Sequence, residues 1–339
     1  MSPFFCDLNI GMETIREKLS SRYLFLDLED FFWGDHEGMM SLLKEAIAKN
    51  KNIILYHQEN INFYHVEYNG VPWIKTIQMK ELRNLVNDHR NQICVLAHGV
   101  HNNFPFEYIN HYDFWIDIRN RNDGIKFPNT EKKKEKDFLF LMRRQTEHRH
   151  RLREKLQKRG CLENSLCSYI DGEESIHLPP EYEHEKFNDP KFKLEQCYYE
   201  PAIWQVLPQQ YDATKWSIVA ETVETNGVHC LSEKIFKPLI TGHLFVVLAG
   251  EGYLSYLRSV GFKTFGDYID ESYDNEPDIE LRIDKIVDLC ADLKQKDYVD
   301  LQGKIQGIIK HNQELFFNHS HLESLNTHIT NKINEYFKR

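Results

Sequence analysis

Residues 216–274 read WSIVAETVETNGVHCLSEKIFKPLITGHLFVVLAGEGYLSYLRSVGFKTFGDYIDESYD. The apolar run 218–220 predicts a short strand that stops at Glu221. After a polar loop, Ser232-Glu233-Lys234 opens a helical pattern closed by Gly242. A second apolar run, 244–248, stops at Ala249-Gly250-Glu251-Gly252. This is a strand–loop–helix–strand–loop unit with its polar groups gathered where strands end, the place where open α/β sheets bind ligands. A helix opened by Ser-Glu-Lys offers free backbone N–H groups, a positive dipole end and an ammonium, a combination suited to an anion such as a nucleotide diphosphate.

Working outward, strands and helices alternate. Residues 23–27 (YLFLD), 52–56 (NIILY), 93–97 (ICVLA) and 114–118 (FWIDI) predict four strands of a first domain, with helices over 38–50 and 77–87. Residues 119–137 are polar, contain Gly and Pro, and predict a linker. A second series follows: strand 138–142, helix 147–158, strand 167–170, an irregular insertion over 172–215, the unit quoted above, a helix over 279–293 and one or two more beyond 299. The expectation is an α/β protein of two Rossmann-like, doubly wound domains. Its divisions are 1–125, 126–310, and a C-terminal segment 311–339 that packs back on the first domain.

Composition sets bounds. The 339 residues suffice for two domains, and 41% hydrophobic with 28% charged residues is ordinary for a globular chain. No apolar run reaches membrane-spanning length and the N-terminus lacks a secretory pattern, so a cytoplasmic protein without membrane contact is expected. Seven cysteines at 6, 94, 161, 167, 197, 230 and 290 form no Cys-x-x-Cys and point to reduced thiols. The net charge is −10, yet residues 131–160 hold twelve Lys/Arg against five Asp/Glu. Such a basic island reads as either a focused anion site or a solvated charged helix. G-x-G-x-x-G and G-x-x-x-x-G-K-[ST] are both absent, which disfavours dinucleotide oxidoreductases and P-loop enzymes.

The order Ile218-Val219-Ala220-Glu221, then Ser232-Glu233-Lys234-Ile235-Phe236-Lys237, then Gly242 and an apolar strand, resembles the α-1,3-fucosyltransferase motif. In that family a strand ends in Phe-Glu-Asn, Thr-Glu-Lys heads a helix, and Val-Pro-Val follows a small-residue turn. Here Thr222 stands for the Asn, Ser232 for the Thr, and the intervening loop is longer. The segments 261–265 (GFKTF) and 270–274 (DESYD) resemble phage and giant-virus glycosyltransferases. The resemblance covers roughly residues 138–275 and implies a GT-B fold, with two domains facing a cleft that binds a UDP- or GDP-type nucleotide-diphosphate sugar. It implies that Lys234 contacts the donor diphosphate, Glu233 the sugar or ribose, and Arg149 on the helix after strand 138–142 the diphosphate. Six arginines crowd residues 143–159, and Arg144 is the next candidate. Ser232 heads the donor-site helix, Glu221 can accept from a ribose or sugar hydroxyl, and Tyr169 can flank the base.

The catalytic base is expected from the first domain, as a carboxylate that deprotonates the acceptor hydroxyl in an inverting transfer. Glu59, in His57-Gln58-Glu59-Asn60, resembles the segment carrying the fucosyltransferase base, and Asp35 ends an aromatic, acidic stretch after strand 23–27. His98 ends a third strand and can touch acceptor or leaving group. No strict Asp-x-Asp occurs, and Lys and Arg can neutralise the leaving diphosphate, so no metal or other cofactor is expected. The acceptor is either a glycan or glycoprotein, or a hydroxymethylated base in viral DNA. A binding module for nucleotides or glycans, without catalysis, is the alternative from another class.

Overall fold

The computed structural model describes residues 12–28, 35–56, 67–68, 71–72, 76–101, 107–122, 134–142, 146–169, 176–182 and 206–339. It is a mixed α/β structure with two parallel four-stranded sheets and, among the described residues, eleven α-helices. The chain forms two compact units. Unit 1 is Met1–Ile116 with His319–Arg339, and unit 2 is Asp117–Asn318. No helix among the described residues is long and apolar enough to cross a membrane.

In unit 1 the strands β1 (Leu24–Asp27), β2 (Ile53–Tyr56), β3 (Ile93–His98) and β4 (Tyr108–His111) lie side by side in chain order. Alternation along them decides which helix covers which face. Ile53, Leu55, Ile93 and Val95 point to one side, where α2 (His36–Ala48) brings Met39, Met40, Leu43 and Ala46, and α3 (Thr76–Asp88) brings Leu82 and Val86. Ile54, Cys94 and Leu96 point to the other, against α1 (Met12–Leu19) and Ile329 and Ile333 of the C-terminal helix. The second face is therefore covered by the two ends of the chain rather than by crossover helices.

Residues 114–118 were expected as the fourth strand and instead belong to α4 (Asp113–Arg121). Phe114, Trp115, Ile116 and Ile118 are all buried, and a helix buried on several sides gives the same short apolar run as a buried strand. The fourth strand is Tyr108–His111, whose exposure alternates residue by residue. Of the expected linker, residues 119–121 complete α4 and Lys136 opens β5, while 123–133 lie outside the described residues.

In unit 2 the strands are β5 (Lys136–Leu141), β6 (Leu166–Ser168), β7 (Thr214–Ala220) and β8 (Phe245–Leu248), all parallel, in the spatial order β8-β7-β5-β6. From β5 the chain steps outward to β6, then returns to the other side of β5 for β7 and β8. The reversal falls between β5 and β7, and a ligand crevice is expected outside the carboxyl ends of those two strands. Helix α5 (Glu147–Lys158) links β5 to β6; α6 (Pro208–Ala213) leads into β7; α7 (Glu233–Thr241) links β7 to β8. Beyond β8 come α8 (Tyr253–Ser259), α9 (Ile279–Gln295), α10 (Tyr298–Phe317) and, in unit 1, α11 (His319–Tyr336). Helix α9 packs on α5 and β8, and α10 on α7.

Three cations of the basic island form ion pairs between α5 and α9. Arg151 meets Glu280 at 2.6 Å, Lys155 meets Glu280 at 3.0 Å and Asp284 at 2.7 Å, and Arg159 meets Asp288 at 3.4 Å. Both helices advance by four residues per pair, so one face of each carries the matching charge. Farther back, Lys134 is buried and donates to the Tyr211 carbonyl at 2.8 Å. These cations are engaged within unit 2 and do not form a focused anion site.

Candidate functional site at the carboxyl end of the unit 2 sheet

Strand β7 is buried along nearly its whole length and delivers Glu221 as the first residue past its end. The Glu221 N–H continues the ladder to the Leu248 carbonyl at 2.9 Å. Its carboxylate is 3% exposed and accepts two hydroxyl bonds, from Ser232 at 2.7 Å and from Tyr253 at 2.9 Å. Burial and the neighbouring Glu221 carboxylate push the Tyr253 phenol far above its usual range, so it stays a donor. Glu221 thus ties the end of β7 to the starts of α7 and α8, and both its oxygens are engaged by protein hydroxyls.

Ser232 caps α7. Its Oγ accepts from the Lys234 N–H at 3.2 Å while its proton goes to Glu221, the arrangement that satisfies an orphan donor at a helix start. The Lys234 ammonium lies 2.8 Å from Glu233 Oε1 and 3.4 Å from Ser232 Oγ. Burial pushes the Glu233 carboxyl up, but Lys234 and Lys237 outweigh it, and the net displacement is downward. Lysine is poorly placed at a helix N-terminus, and Glu233 offsets part of that cost.

Lys237 was not among the residues singled out from the sequence. It stands three residues beyond Lys234 and four beyond Glu233, the spacing that puts side chains on one helix face. Among the described residues its ammonium has no hydrogen-bond or ion-pair partner. Burial lowers its pKa to about 8, with Glu233 opposing and Lys234 adding to the fall. The trio carries one carboxylate and two amines, a positive excess beside a helix N-terminus.

On the other side of β7, the first turn of α5 is stitched to the strand end. His148 Nε2 donates to the Glu221 carbonyl at 2.9 Å, and burial lowers the imidazole pKa. Arg149 is 2% exposed and donates through Nε and Nη2 to the Ala220 carbonyl at 3.1 and 2.8 Å, and to Thr222 Oγ1 at 3.1 Å. Arg149 therefore sits at the crevice as expected, but these bonds hold the turn after β7.

The turn after β8 is locked from behind. Arg282 donates to the Ala249 carbonyl, to Asn226 Oδ1 at 2.8 Å and to the Glu276 carbonyl at 2.7 Å. Asn226 Oδ1 also accepts from the Glu251 N–H at 3.0 Å. A Cβ on Gly250 would stand 2.4 Å from the Thr225 carbonyl oxygen, so only glycine permits this approach of the two loops. The 261–274 segment is a clasp: Glu271 accepts from the Phe265 N–H at 2.6 Å, and Asp274 accepts from Leu254 and Ser255 N–H at 2.8 and 3.2 Å.

Of the expected site residues, Glu221, Ser232, Glu233 and Lys234 come together, with Arg149 behind them. Tyr169 is fully buried; its hydroxyl meets His150 Nδ1 at 3.2 Å and the Arg153 guanidinium lies 4.4 Å over its ring. In unit 1, Asp35 caps α2 by accepting from the Gly38 N–H at 2.8 Å. His98 is buried at the end of β3, its Nδ1 3.2 Å from the His111 carbonyl. Glu59 and Arg144 lie outside the described residues. Among the described residues no group of three or more His, Cys, Asp and Glu is placed to hold a metal ion. No protein-family model matches the chain, and no curated protein sequence matches it.

Proposed function

We propose that unit 2 binds the diphosphate of a nucleotide sugar at the start of α7, and that the protein is a glycosyltransferase of the two-domain GT-B type. The observation that carries this reading is the trio on α7: a helix start capped by Ser232, Lys234 held by Glu233, and Lys237 without a partner among the described residues. A diphosphate supplies the acceptor that the Lys237 ammonium lacks, and two lysines neutralise the leaving group without a metal. Arg149 acts as a positioning residue, holding the Ala220–Thr222 backbone against which the donor lies. The resemblance implies an acceptor base among the carboxylates of the first domain, with Glu59 and Asp35 as candidates. Asp35 takes that role only by releasing its capping bond. Arg151, Lys155 and Arg159 are paired with α9, which leaves less unpaired charge on α5 for a DNA backbone. A glycan or glycoprotein hydroxyl is the better match, and an inverting transfer follows the resemblance to the fucosyltransferases.

The test is calorimetric titration of the full chain with UDP, GDP and their sugar conjugates, in the presence of EDTA. One nucleotide family binds, and Lys237→Met weakens it about 10- to 100-fold, the range for a lost charge-assisted hydrogen bond. Affinity falls as pH rises through about 8, where the unliganded ammonium loses its proton. Absence of binding by any of these nucleotides to folded protein overturns the reading.

A further inference from the structure

Three residues before the Ser232 cap, the extended pair Val228–His229 brings an imidazole to the same end of the sheet. The ring stacks on Tyr256 with centroids 5.6 Å apart and meets Tyr253, whose hydroxyl holds Glu221, at 6.4 Å. His229 Nδ1 is sealed from solvent and has no hydrogen-bond partner among the described residues. Nε2 faces Gly252, 3.8 Å from where a Cβ would stand. A buried orphan acceptor is tolerated better than a buried orphan N–H, so the proton belongs on Nε2 and Nδ1 keeps its lone pair. Burial and the Arg282 charge lower the pKa and keep the ring neutral. The result is an N–H donor beside a residue with no side chain, whose φ of 82° other residues rarely adopt.

The charge around this donor differs from that at α7. The first N–H groups of α8 are already taken by the Asp274 carboxylate, which is 4% exposed. A phosphate there meets a fixed negative charge, whereas an uncharged hydroxyl does not. Lys234 and Lys237 lie on the α7 side. We propose that His229 and the open face of Gly252 form the subsite for the sugar of the donor, with Nε2–H donating to a ring hydroxyl and the diphosphate lying toward Lys234 and Lys237. This rests on the donor-site reading above and assigns the sugar specificity of that site to His229.

The test compares UDP with UDP-glucose and GDP with GDP-fucose, titrated into wild type, His229→Phe and His229→Gln. Phenylalanine keeps the stacking on Tyr256 and removes the donor; glutamine returns an N–H near the Nε2 position. The sugar conjugate loses about tenfold in affinity in H229F, the parent nucleotide changes less than about twofold, and H229Q recovers most of the loss. Equal binding of the conjugate by wild type and H229F, or equal losses for nucleotide and conjugate, overturns the subsite while the donor site stands. If wild type binds none of the four, the donor site falls with it. Should H229F fail to fold, Gly252→Ser in a folded protein decides the matter: it fills the ground beside Nε2, and unchanged preference for the conjugate overturns the proposal.

Discussion

Glu221 is the residue on which the site's geometry converges. A carboxylate with 3% exposure needs partners for its lone pairs, and Ser232 and Tyr253 supply them from two helices. The bond from Tyr253 spans 32 residues of sequence, so no local pattern announces it, whereas the Ser232 cap follows from the Ser-Glu-Lys order alone. Glu221→Ala leaves two buried hydroxyls without an acceptor and is expected to destabilise the protein by about 2–4 kcal/mol. Tyr253→Phe removes one donor and costs about 1–2 kcal/mol. In a double-mutant cycle by urea denaturation the two losses are less than additive, because they share one bond. Strict additivity sinks the description of Glu221 as a bridge. Sequence reasoning took this carboxylate as a ligand for sugar hydroxyls; in the structure its oxygens face protein hydroxyls.

At the scale of elements, α5 and α9 show how a charge pattern misleads when one helix is considered alone. Arg151, Lys155 and Arg159 form a basic stripe whose counterpart, Glu280, Asp284 and Asp288, lies 129 residues on in each case. The periodicity of each helix is legible in the sequence; their pairing is not, because nothing local says which faces meet. Exposed pairs of this kind are screened by salt. Charge reversal by Glu280→Lys is expected to lower the urea midpoint at about 10 mM salt and to have much less effect at about 1 M. A midpoint change that is the same at both salt concentrations shows that the pairing is not electrostatic. The 114–118 run carries the same lesson: a buried helix and a buried strand are both continuously apolar, and only the neighbours decide between them.

For the whole molecule, the last helix completes the first unit. Ile329 and Ile333 of α11 pack with Ile54, Cys94 and Leu96, so one face of the unit 1 sheet depends on residues more than 200 positions away. Ile333→Asp places a charge in that layer and is expected to destabilise unit 1 by about 3–5 kcal/mol. Limited proteolysis checks it, with cleavage gained in unit 1 while unit 2 persists. Uniform cleavage of both units, or of neither, contradicts the division. By itself the sequence determined most elements, the alternation that makes both sheets parallel, and the Ser232-Glu233-Lys234 helix start, because these rest on side-chain period and local capping bonds. Only the tertiary structure decided the strand order that puts the reversal between β5 and β7, the pairing of α5 with α9, and the closure of Tyr253 on Glu221. It also showed Lys237 without a partner among the described residues and His229 with a sealed nitrogen. Those depend on which distant surfaces are buried together, a property of packing over the whole chain rather than of any window along it.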